Sequence, residues 1–144
     1  MIIKEIIRNK EDTVYFIKKY ILPVIKKETI LLLNGTLGSG KTFFTNVLLN
    51  MIFEFEGRAT ENITSPTFNL VKIYNTNNFD IHHFDLYRLK NVEELYEFDL
   101  NEAFSNVSII EWSDIIKDML PYSPIELSIS FEQDYRIYTL SYEE

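Results

Sequence analysis

The chain has 144 residues, 46% of them hydrophobic, which suffices for one substantial core, and we expect a single domain over residues 1–144. Its formal net charge of −8 argues against a broad nucleic-acid surface, because neutralising phosphates requires clustered lysine and arginine. The lack of cysteine excludes disulfides, thiolate catalysis and cysteine-ligated metal centres.

The N-terminal segment is predicted to form a strand at residues 2–7 and then a helix. Its charges are too closely spaced for a signal-peptide core, and no run of about 18 apolar residues occurs in the chain, so we expect a cytoplasmic protein without a membrane partner. From Glu11 to about Ile21 apolar residues recur at helical spacing, and Pro23 should end that helix.

The sequence Asn9–Lys10–Glu11–Asp12 spells Asn-Lys-x-Asp, the guanine-reading motif of GTPases. In circularly permuted GTPases this motif precedes the phosphate loop. A further helix and strand, which carry the second base-contacting loop, must then lie between the motif and the phosphate loop. The residues before Gly35 form only one predicted helix and one predicted strand, and no Asp-x-x-Gly follows. We therefore interpret the four residues as a helix start.

A phosphate-binding loop is predicted after the next strand. Thr29 to Asn34 is apolar without alternation, which is typical of a parallel strand buried on both faces. An apolar stripe at helical spacing then runs from Phe44 to Phe55. Between them stands Gly-x-x-x-x-Gly-Lys-Thr, comprising Gly35, Thr36, Leu37, Gly38, Ser39, Gly40, Lys41 and Thr42.

The residue types of this loop suit a nucleotide polyphosphate and Mg²⁺. Glycines let backbone N–H groups turn towards the phosphates, and the helix directs its positive dipole end at the same anion. Lys41 can reach the β and γ phosphates, while the Thr42 hydroxyl can ligate Mg²⁺. The motif therefore predicts nucleotide binding.

A polar stretch from Glu56 to Asn62 lacks periodicity and is expected to be an exposed loop. It leads to Ser65–Pro66–Thr67–Phe68, about 25 residues after Lys41, where a phosphate-sensing switch segment would be expected. There the Thr67 hydroxyl could contact Mg²⁺ or the γ-phosphate. From these residues alone, a Ser-Pro turn before a strand is an equal alternative.

Two acidic residues end apolar strands. Asn69 to Tyr74 and Asp80 to Phe84 are predicted to form a hairpin that ends at Asp85, and residues 107–110 form a buried strand that ends at Glu111. Both acids then lie at carboxyl strand edges, where α/β folds place ligands. One could ligate Mg²⁺ while the other orients the attacking water, although a solvated or capping carboxylate is the alternative for each.

Two histidines and the only tryptophan lie close to these acids. His82 and His83 are consecutive in a strand and point to opposite faces, and the chain has no third histidine, so packing or hydrogen bonding is favoured over metal ligation. Spacing alone favours a core position for Trp112.

The remaining segments complete an α/β fold. Asn91 is predicted to cap a helix with Glu94, a short helix should run to about Leu120, residues 125–131 alternate as a strand, and residues 135–142 pair back as a hairpin. The order predicts a P-loop NTPase-like, mostly parallel sheet flanked by helices, with antiparallel hairpins.

The combined motifs resemble the TsaE (YjeE) family over nearly the whole chain. The resemblance rests on the phosphate loop, Ser65–Pro66–Thr67–Phe68, His83–Phe84–Asp85–Leu86–Tyr87–Arg88 and Glu111–Trp112. It implies a small bacterial ATPase that assists threonylcarbamoyladenosine formation on tRNA together with TsaB and TsaD proteins. In that pathway TsaD-like partners carry the transfer chemistry.

The resemblance also implies roles for particular residues. Lys41 and Thr42 bind phosphate and Mg²⁺, and Thr67 is the switch threonine. Asp85 and Glu111 are the catalytic and metal-side acids, and Trp112 becomes a nucleotide-site residue. Thr36 and Ser39 stand where the family commonly has Asp and often has Ala, positions at which a loop acting through its backbone does not need a particular side chain.

An acidic ATPase can dock on a complex that holds the tRNA, so tRNA contact is expected to be indirect.

Two other functions stay open. In a nucleotide-gated scaffold, ATP binding would order residues 56–68 for docking and hydrolysis would be incidental. A small-molecule kinase is the other alternative, although four arginines are few for clamping two phosphate groups.

Overall fold

The computed structural model describes residues 1–143, which are built around a seven-stranded sheet. The strands are β1 (Ile2–Ile7), β2 (Ile30–Asn34), β3 (Val71–Asn75), β4 (Asp80–Asp85), β5 (Val107–Glu111), β6 (Ile125–Phe131) and β7 (Arg136–Ser141). Their order across the sheet is β1-β7-β6-β2-β5-β4-β3. The central strands β6, β2, β5 and β4 are parallel, while β1, β7 and β3 add antiparallel pairs at the edges.

Helices cover both faces of this sheet. The α-helices are α1 (Lys10–Phe16), α2 (Lys41–Phe55) and α3 (Leu100–Ser105). A π-helical turn at Ile17–Ile21 continues α1, and 3-10 helices span Val92–Glu97, Ser113–Ile115 and Lys117–Met119. None of the helices in residues 1–143 has both the length and the apolar character needed to cross a membrane.

The start of α1 agrees with the sequence interpretation. The Asn9 side chain caps the helix by accepting a hydrogen bond from the Asp12 N–H over 2.9 Å. Asn91 and Glu94 likewise form the predicted capping box, although on a 3-10 helix.

Two predicted elements differ from the structure. The single short helix expected up to Leu120 is replaced by two 3-10 turns that meet at Ile116, whose side chain is buried. Strand β3 begins at Val71 because Leu70 has a φ of 65°, which interrupts an extended chain.

The core lies in two layers, one on each face of the sheet. Helices α1 and α2 pack on one face, where the fully buried Tyr138 of β7 meets the rings of Phe16 and Phe44 edge-on. Helix α3 and the 3-10 turns cover the other face. Strand β2 is buried on both sides, as its uninterrupted apolar run predicts.

Parallel pairing brings several strand ends to one edge of the sheet. Leu33 of β2 pairs with Glu111 of β5, and Glu111 pairs with Asp85 of β4. The loop that follows β2 starts at this same edge, so it lies beside both acids.

Candidate nucleotide-binding site

Residues 35–42 wrap into a compact loop between β2 and α2. The Lys41 Nζ donates a hydrogen bond to the Gly35 carbonyl oxygen over 2.5 Å, which closes the loop on itself. Gly40 has a φ of 113°, a conformation that favours glycine. A Cβ on Gly35 would lie 2.5 Å from the Ser39 Oγ and 2.8 Å from the Ile129 carbonyl oxygen, so this position also has no room for a side chain.

Arg136 of β7 contacts the backbone of the phosphate loop. Its Nε donates a hydrogen bond to the Ser39 carbonyl oxygen over 2.6 Å. The same Nε lies 3.0 Å from where a Cβ on Gly40 would stand. Arg136 therefore occupies the space that the glycine leaves and fixes the loop backbone.

Lys41 lies between an aromatic ring and two acids. Its Nζ is 3.8 Å from the ring centroid of Trp112, which is within the range of a cation–π contact. Burial lowers the pKa of Lys41, while the negative charges of Glu111 and Asp85 oppose that shift. Trp112 is half-buried and has a left-handed backbone conformation with φ 58°. Its side chain packs against the core on one face of the sheet and also lines the site beside Lys41.

Asp85 at the end of β4 holds the Ser65–Thr67 segment. Its Oδ2 accepts hydrogen bonds from the Ser65 hydroxyl and from the Thr67 hydroxyl, the latter over 2.9 Å. Its Oδ1 accepts from the Tyr87 N–H over 3.0 Å. Both oxygens of this buried carboxylate are therefore already hydrogen-bonded.

Glu111 at the end of β5 pairs with a histidine. Its Oε2 lies 2.6 Å from the His83 Nε2, and both side chains are buried. The other oxygen, Oε1, has no hydrogen-bond partner in the part of the chain that the structure describes. His82 points to the opposite face and stacks near Phe84, so the two imidazole rings do not face one common site.

These residues surround one cleft of about 280 Å³. Its lining comprises Leu37, Gly38, Ser39, Gly40, Lys41, Thr42, Phe43, Ser65, Thr67, Asp85, Glu111 and Trp112. Gly35 and the exposed Thr36 do not belong to this lining. A second cleft of about 240 Å³ shares Phe43 with the first and extends past Asn9, Thr13, Tyr135 and Arg136.

The oxygen donors of the first cleft fit Mg²⁺ bound together with a polyphosphate. Among residues 1–143 no cluster of three or more histidine, aspartate or glutamate side chains could hold a metal ion alone. Mg²⁺ does not require one, because it keeps several waters and commonly takes one or two carboxylates with phosphate oxygens. Thr42 and Glu111 offer that kind of donor set, and Asp85, whose two oxygens already accept hydrogen bonds, lies beside them.

The sequence did not predict the partners in three contacts of the site, although the resemblance extends to Arg136 and hydrogen bonding was favoured for His83. The Arg136 contact to the loop spans 97 positions, and the His83–Glu111 pair depends on the register of two strands. On α2, Asn46 and Asn50 bind the backbone of the loop before Ser65. The available signal for these two asparagines was their i, i+4 spacing on one face of α2, outside the apolar stripe.

Comparisons with known proteins give a consistent result along the chain. The family model described as "Threonylcarbamoyl adenosine biosynthesis protein TsaE" matches residues 7–138. The chain is 46% identical over 130 residues to the Rickettsia bellii tRNA threonylcarbamoyladenosine biosynthesis protein TsaE, covering 90% of this chain and 87% of that protein. It is 40% identical over 113 residues to the Haemophilus influenzae protein of the same name, covering 77% and 68%.

A solved structure supports the fold. The crystal structure of Bacillus subtilis YdiB matches with a TM-score of 0.72 and 28% sequence identity, covering 97% of this chain and 84% of that one. The predicted α/β class, with a parallel sheet centre, flanking helices and antiparallel hairpins, is confirmed.

Proposed function

Since this chain belongs to the TsaE family of tRNA threonylcarbamoyladenosine biosynthesis proteins, we propose that it binds ATP with Mg²⁺ and hydrolyses it to support that modification. The family resemblance seen in the sequence motifs is thereby confirmed, and ATP hydrolysis is the step that the site supports best. The observation that carries the proposal is the convergence of Lys41, Thr42, Asp85 and Glu111 on one cleft.

The phosphate loop would bind the polyphosphate through its backbone. The N–H groups of Gly38 and residues 40–42 provide donors, and the first turn of α2 provides a positive dipole end for the anion. The Ser39 N–H is engaged within the loop, since it donates to the Thr36 carbonyl oxygen over 3.1 Å. Lys41 is held by the Gly35 carbonyl and the Trp112 ring, so its ammonium group would transfer from these contacts to phosphate oxygens. Its burial strengthens that attraction, because the local dielectric is low.

Thr42 and Glu111 are proposed to hold Mg²⁺ beside the phosphates. The Glu111 Oε1 has no hydrogen bond within residues 1–143, while His83 fixes the other carboxylate oxygen and thereby the side-chain orientation. A bound Mg²⁺ would neutralise charge on the phosphate oxygens. We propose that Asp85 acts differently, by holding the Ser65 and Thr67 hydroxyls next to the phosphates, because both its oxygens are engaged.

The second cleft offers room for the nucleoside. It joins the phosphate cleft at Phe43, the residue after the loop, and has a volume of about 240 Å³. Tyr135 and the Arg8 guanidinium above it, at 5.4 Å from the ring centroid, provide an apolar and cationic surface for a base. We propose that the adenosine moiety lies there.

The partners are proposed to be TsaB- and TsaD-like proteins, with tRNA contacted through the complex. The net charge of −8 disfavours direct capture of tRNA by this chain. Exposed apolar side chains around the cleft provide a surface for a protein instead, with Leu37 at 66%, Phe68 at 82% and Tyr87 at 50% exposure.

Three variants test the assignment. Lys41→Ala should abolish ATP binding, because the loop loses its only ammonium contact to the phosphates. Asp85→Ala and Glu111→Ala should retain much of the binding and lose hydrolysis. Binding is measured by calorimetry and hydrolysis by phosphate release, with and without the partner proteins. Unchanged hydrolysis in all three variants would contradict the proposal.

A nucleotide-gated scaffold is the second candidate. The hydrogen bonds of Ser65 and Thr67 to Asp85 favour it, because they link a surface segment directly to the phosphate cleft. A slowly hydrolysed ATP analogue separates the two functions. If the analogue supports repeated rounds of tRNA modification as well as ATP does, the scaffold function is correct and hydrolysis is incidental.

A further inference from the structure

Two asparagines on α2 hold the loop that precedes the Ser65–Thr67 segment. Asn50 pairs with the backbone of Glu61 in both directions. Its Nδ2 donates to the Glu61 carbonyl oxygen over 2.8 Å, and its Oδ1 accepts from the Glu61 N–H over 2.8 Å. A side-chain amide here replaces the partner strand that this stretch of backbone lacks.

Asn46, one helical turn earlier, joins the same arrangement. Its Oδ1 accepts from the Ile63 N–H over 3.1 Å and from the Asn50 Nδ2 over 2.8 Å. The Ile63 side chain is only 4% exposed and packs into the core beside α2. We call Asn46 and Asn50 the asparagine clamp, because together they attach residues 61–63 to the helix.

The residues that the clamp holds, 61–63, lie close in sequence to the groups that contact Asp85. Ser65 follows Ile63 by two positions, and the hydroxyls of Ser65 and Thr67 both donate to Asp85 Oδ2. Pro66 between them is buried. A backbone fixed at Ile63 and again at Pro66 leaves the Ser65 hydroxyl little freedom to leave Asp85.

The same helix begins at the phosphate loop. Helix α2 carries Lys41 and Thr42 in its first turn and the clamp in its second and third turns. The helix therefore fixes both the phosphate loop and the chain that leads to Thr67 in one rigid frame. Residues 57–62 are otherwise exposed and without helix or strand, so the clamp supplies order that local secondary structure does not.

We propose that the asparagine clamp positions the Ser65–Thr67 segment for ATP hydrolysis, a role that rests on the function proposed above. Asn46 and Asn50 are positioning residues that act through the backbone of residues 61–63. Preorganised hydroxyls next to the phosphates favour the transition state, whereas the phosphate loop alone provides most of the ground-state binding.

The test compares four variants of the full chain. Asn50→Ala removes both bonds to Glu61, and Asn46→Leu removes the acceptor for Ile63. Asn46→Asp is the conservative variant, because the bonds of Asn46 to Ile63 and Asn50 both use an oxygen acceptor. Glu54→Ala is the control, since Glu54 is exposed one turn beyond Asn50 and its side chain makes no hydrogen bond among residues 1–143. Single-turnover and steady-state hydrolysis of ATP·Mg²⁺ are measured at a temperature where circular dichroism finds every variant folded.

The expected result is a split between turnover and binding. Asn50→Ala and Asn46→Leu should lower kcat about tenfold or more and change KM less than about twofold, because only transition-state positioning is lost. Asn46→Asp should restore kcat to within about threefold of wild type, and Glu54→Ala should match wild type. Hydrogen exchange at the Glu61 and Ile63 amides should accelerate in the first two variants only.

Each contrary outcome has a distinct meaning. If the wild-type protein hydrolyses ATP and Asn50→Ala has the same kcat, the clamp inference is overturned and the proposed function stays in place. Equal losses in Asn46→Asp and Asn46→Leu also overturn it, because an oxygen acceptor would then be insufficient. A wild-type protein that binds ATP without hydrolysing it, alone or with its partners, overturns the proposed function and the inference together.

Discussion

The Arg136 Nε lies 2.6 Å from the Ser39 carbonyl oxygen, so a residue of the last strand holds the phosphate loop by its backbone. The bond also occupies this carbonyl oxygen with a cationic donor, which offsets the repulsion that a free carbonyl dipole would exert on phosphate. A loop that is ordered before the nucleotide arrives binds it with a smaller entropy loss.

Arg136→Ala should therefore weaken nucleotide binding without abolishing it. A charge-assisted hydrogen bond contributes about 1.5–3 kcal/mol to the folded loop, which is the upper limit of the binding energy at stake, and we expect an affinity about tenfold lower. Trp112, which contacts Lys41, is the only tryptophan, so its fluorescence provides the binding signal. Lys4→Ala removes a positive charge from the exposed edge strand and serves as the control. Equal losses of affinity in both variants would mean that the net charge of the protein, and not the Arg136–Ser39 hydrogen bond, determines the affinity.

Gly40→Ala should damage the same loop for a different reason. Its φ of 113° disfavours a Cβ, and that Cβ would stand 3.0 Å from the Arg136 Nε. Gly57→Ala is the matched control, because Gly57 also has a positive φ, 71°, but opens to free space away from the cleft. Both variants should lose about 1 kcal/mol of folding stability through backbone strain. Only Gly40→Ala should also lose nucleotide affinity, as measured by titration with ATP·Mg²⁺.

The sequence predicted the strands and the phosphate loop because these depend on local pattern. An unbroken apolar run identified β2, and the glycines around Lys41 identified the turn that follows it. Parallel strand ends were sufficient to predict that Asp85 and Glu111 lie at one sheet edge.

The supporting contacts could not be predicted in the same way. Arg136 reaches Ser39 only because β7 pairs with β6, which in turn pairs with β2. The polar stretch 56–62 was expected to be an exposed loop, which is confirmed for residues 57–62, whereas Glu56 is half-buried at the end of α2. The attachment of this loop by Asn46 and Asn50 depends on the path the chain takes after α2. Such contacts are set by tertiary packing, whereas the periodicity of a segment reports only its own helix or strand.

His82 should make folding stability depend on pH. Its side chain is 5% exposed, its Nε2 has no hydrogen-bond partner in residues 1–143, and burial lowers its pKa from the ordinary value of 6.5. The negative charges of Asp80, Glu102 and Asp99 oppose this shift. Above pH 6.5 both folded and unfolded chains carry a neutral His82. Below it, the unfolded chain binds the proton first, so stability falls as the pH falls.

Thermal unfolding at pH 7.5 and at pH 5.5 tests this prediction, with both pH values chosen to bracket a histidine pKa of about 6.5. Acidification should lower the Tm of the wild-type protein more than the Tm of His82→Leu. Leucine fills a similar volume with an apolar side chain that does not titrate. The carboxylates titrate in both proteins, so their contribution cancels in the comparison. An equal decrease in the two proteins would assign the acid sensitivity to groups other than His82.

The Thr13 and Tyr138 hydroxyls should act as one buried unit. They lie 3.0 Å apart, both side chains are fully buried, and the pair connects α1 to β7. Tyr138→Phe leaves the Thr13 hydroxyl without a partner, and Thr13→Val leaves the Tyr138 hydroxyl without one, so each should lower the free energy of unfolding by about 1–3 kcal/mol. The double variant removes both polar groups together and should be less destabilised than the sum of the two single variants by about 1 kcal/mol or more.

Urea unfolding measures the free energy of unfolding of the two single variants and the double variant. Tyr142→Phe is the control for losing a tyrosine hydroxyl, because the Tyr142 hydroxyl contacts only the exposed Met1 sulfur, at 3.3 Å. Strict additivity of the two single variants would show that the hydroxyls do not interact, and apolar contacts such as that between the Phe16 and Tyr138 rings would then hold α1 against the sheet.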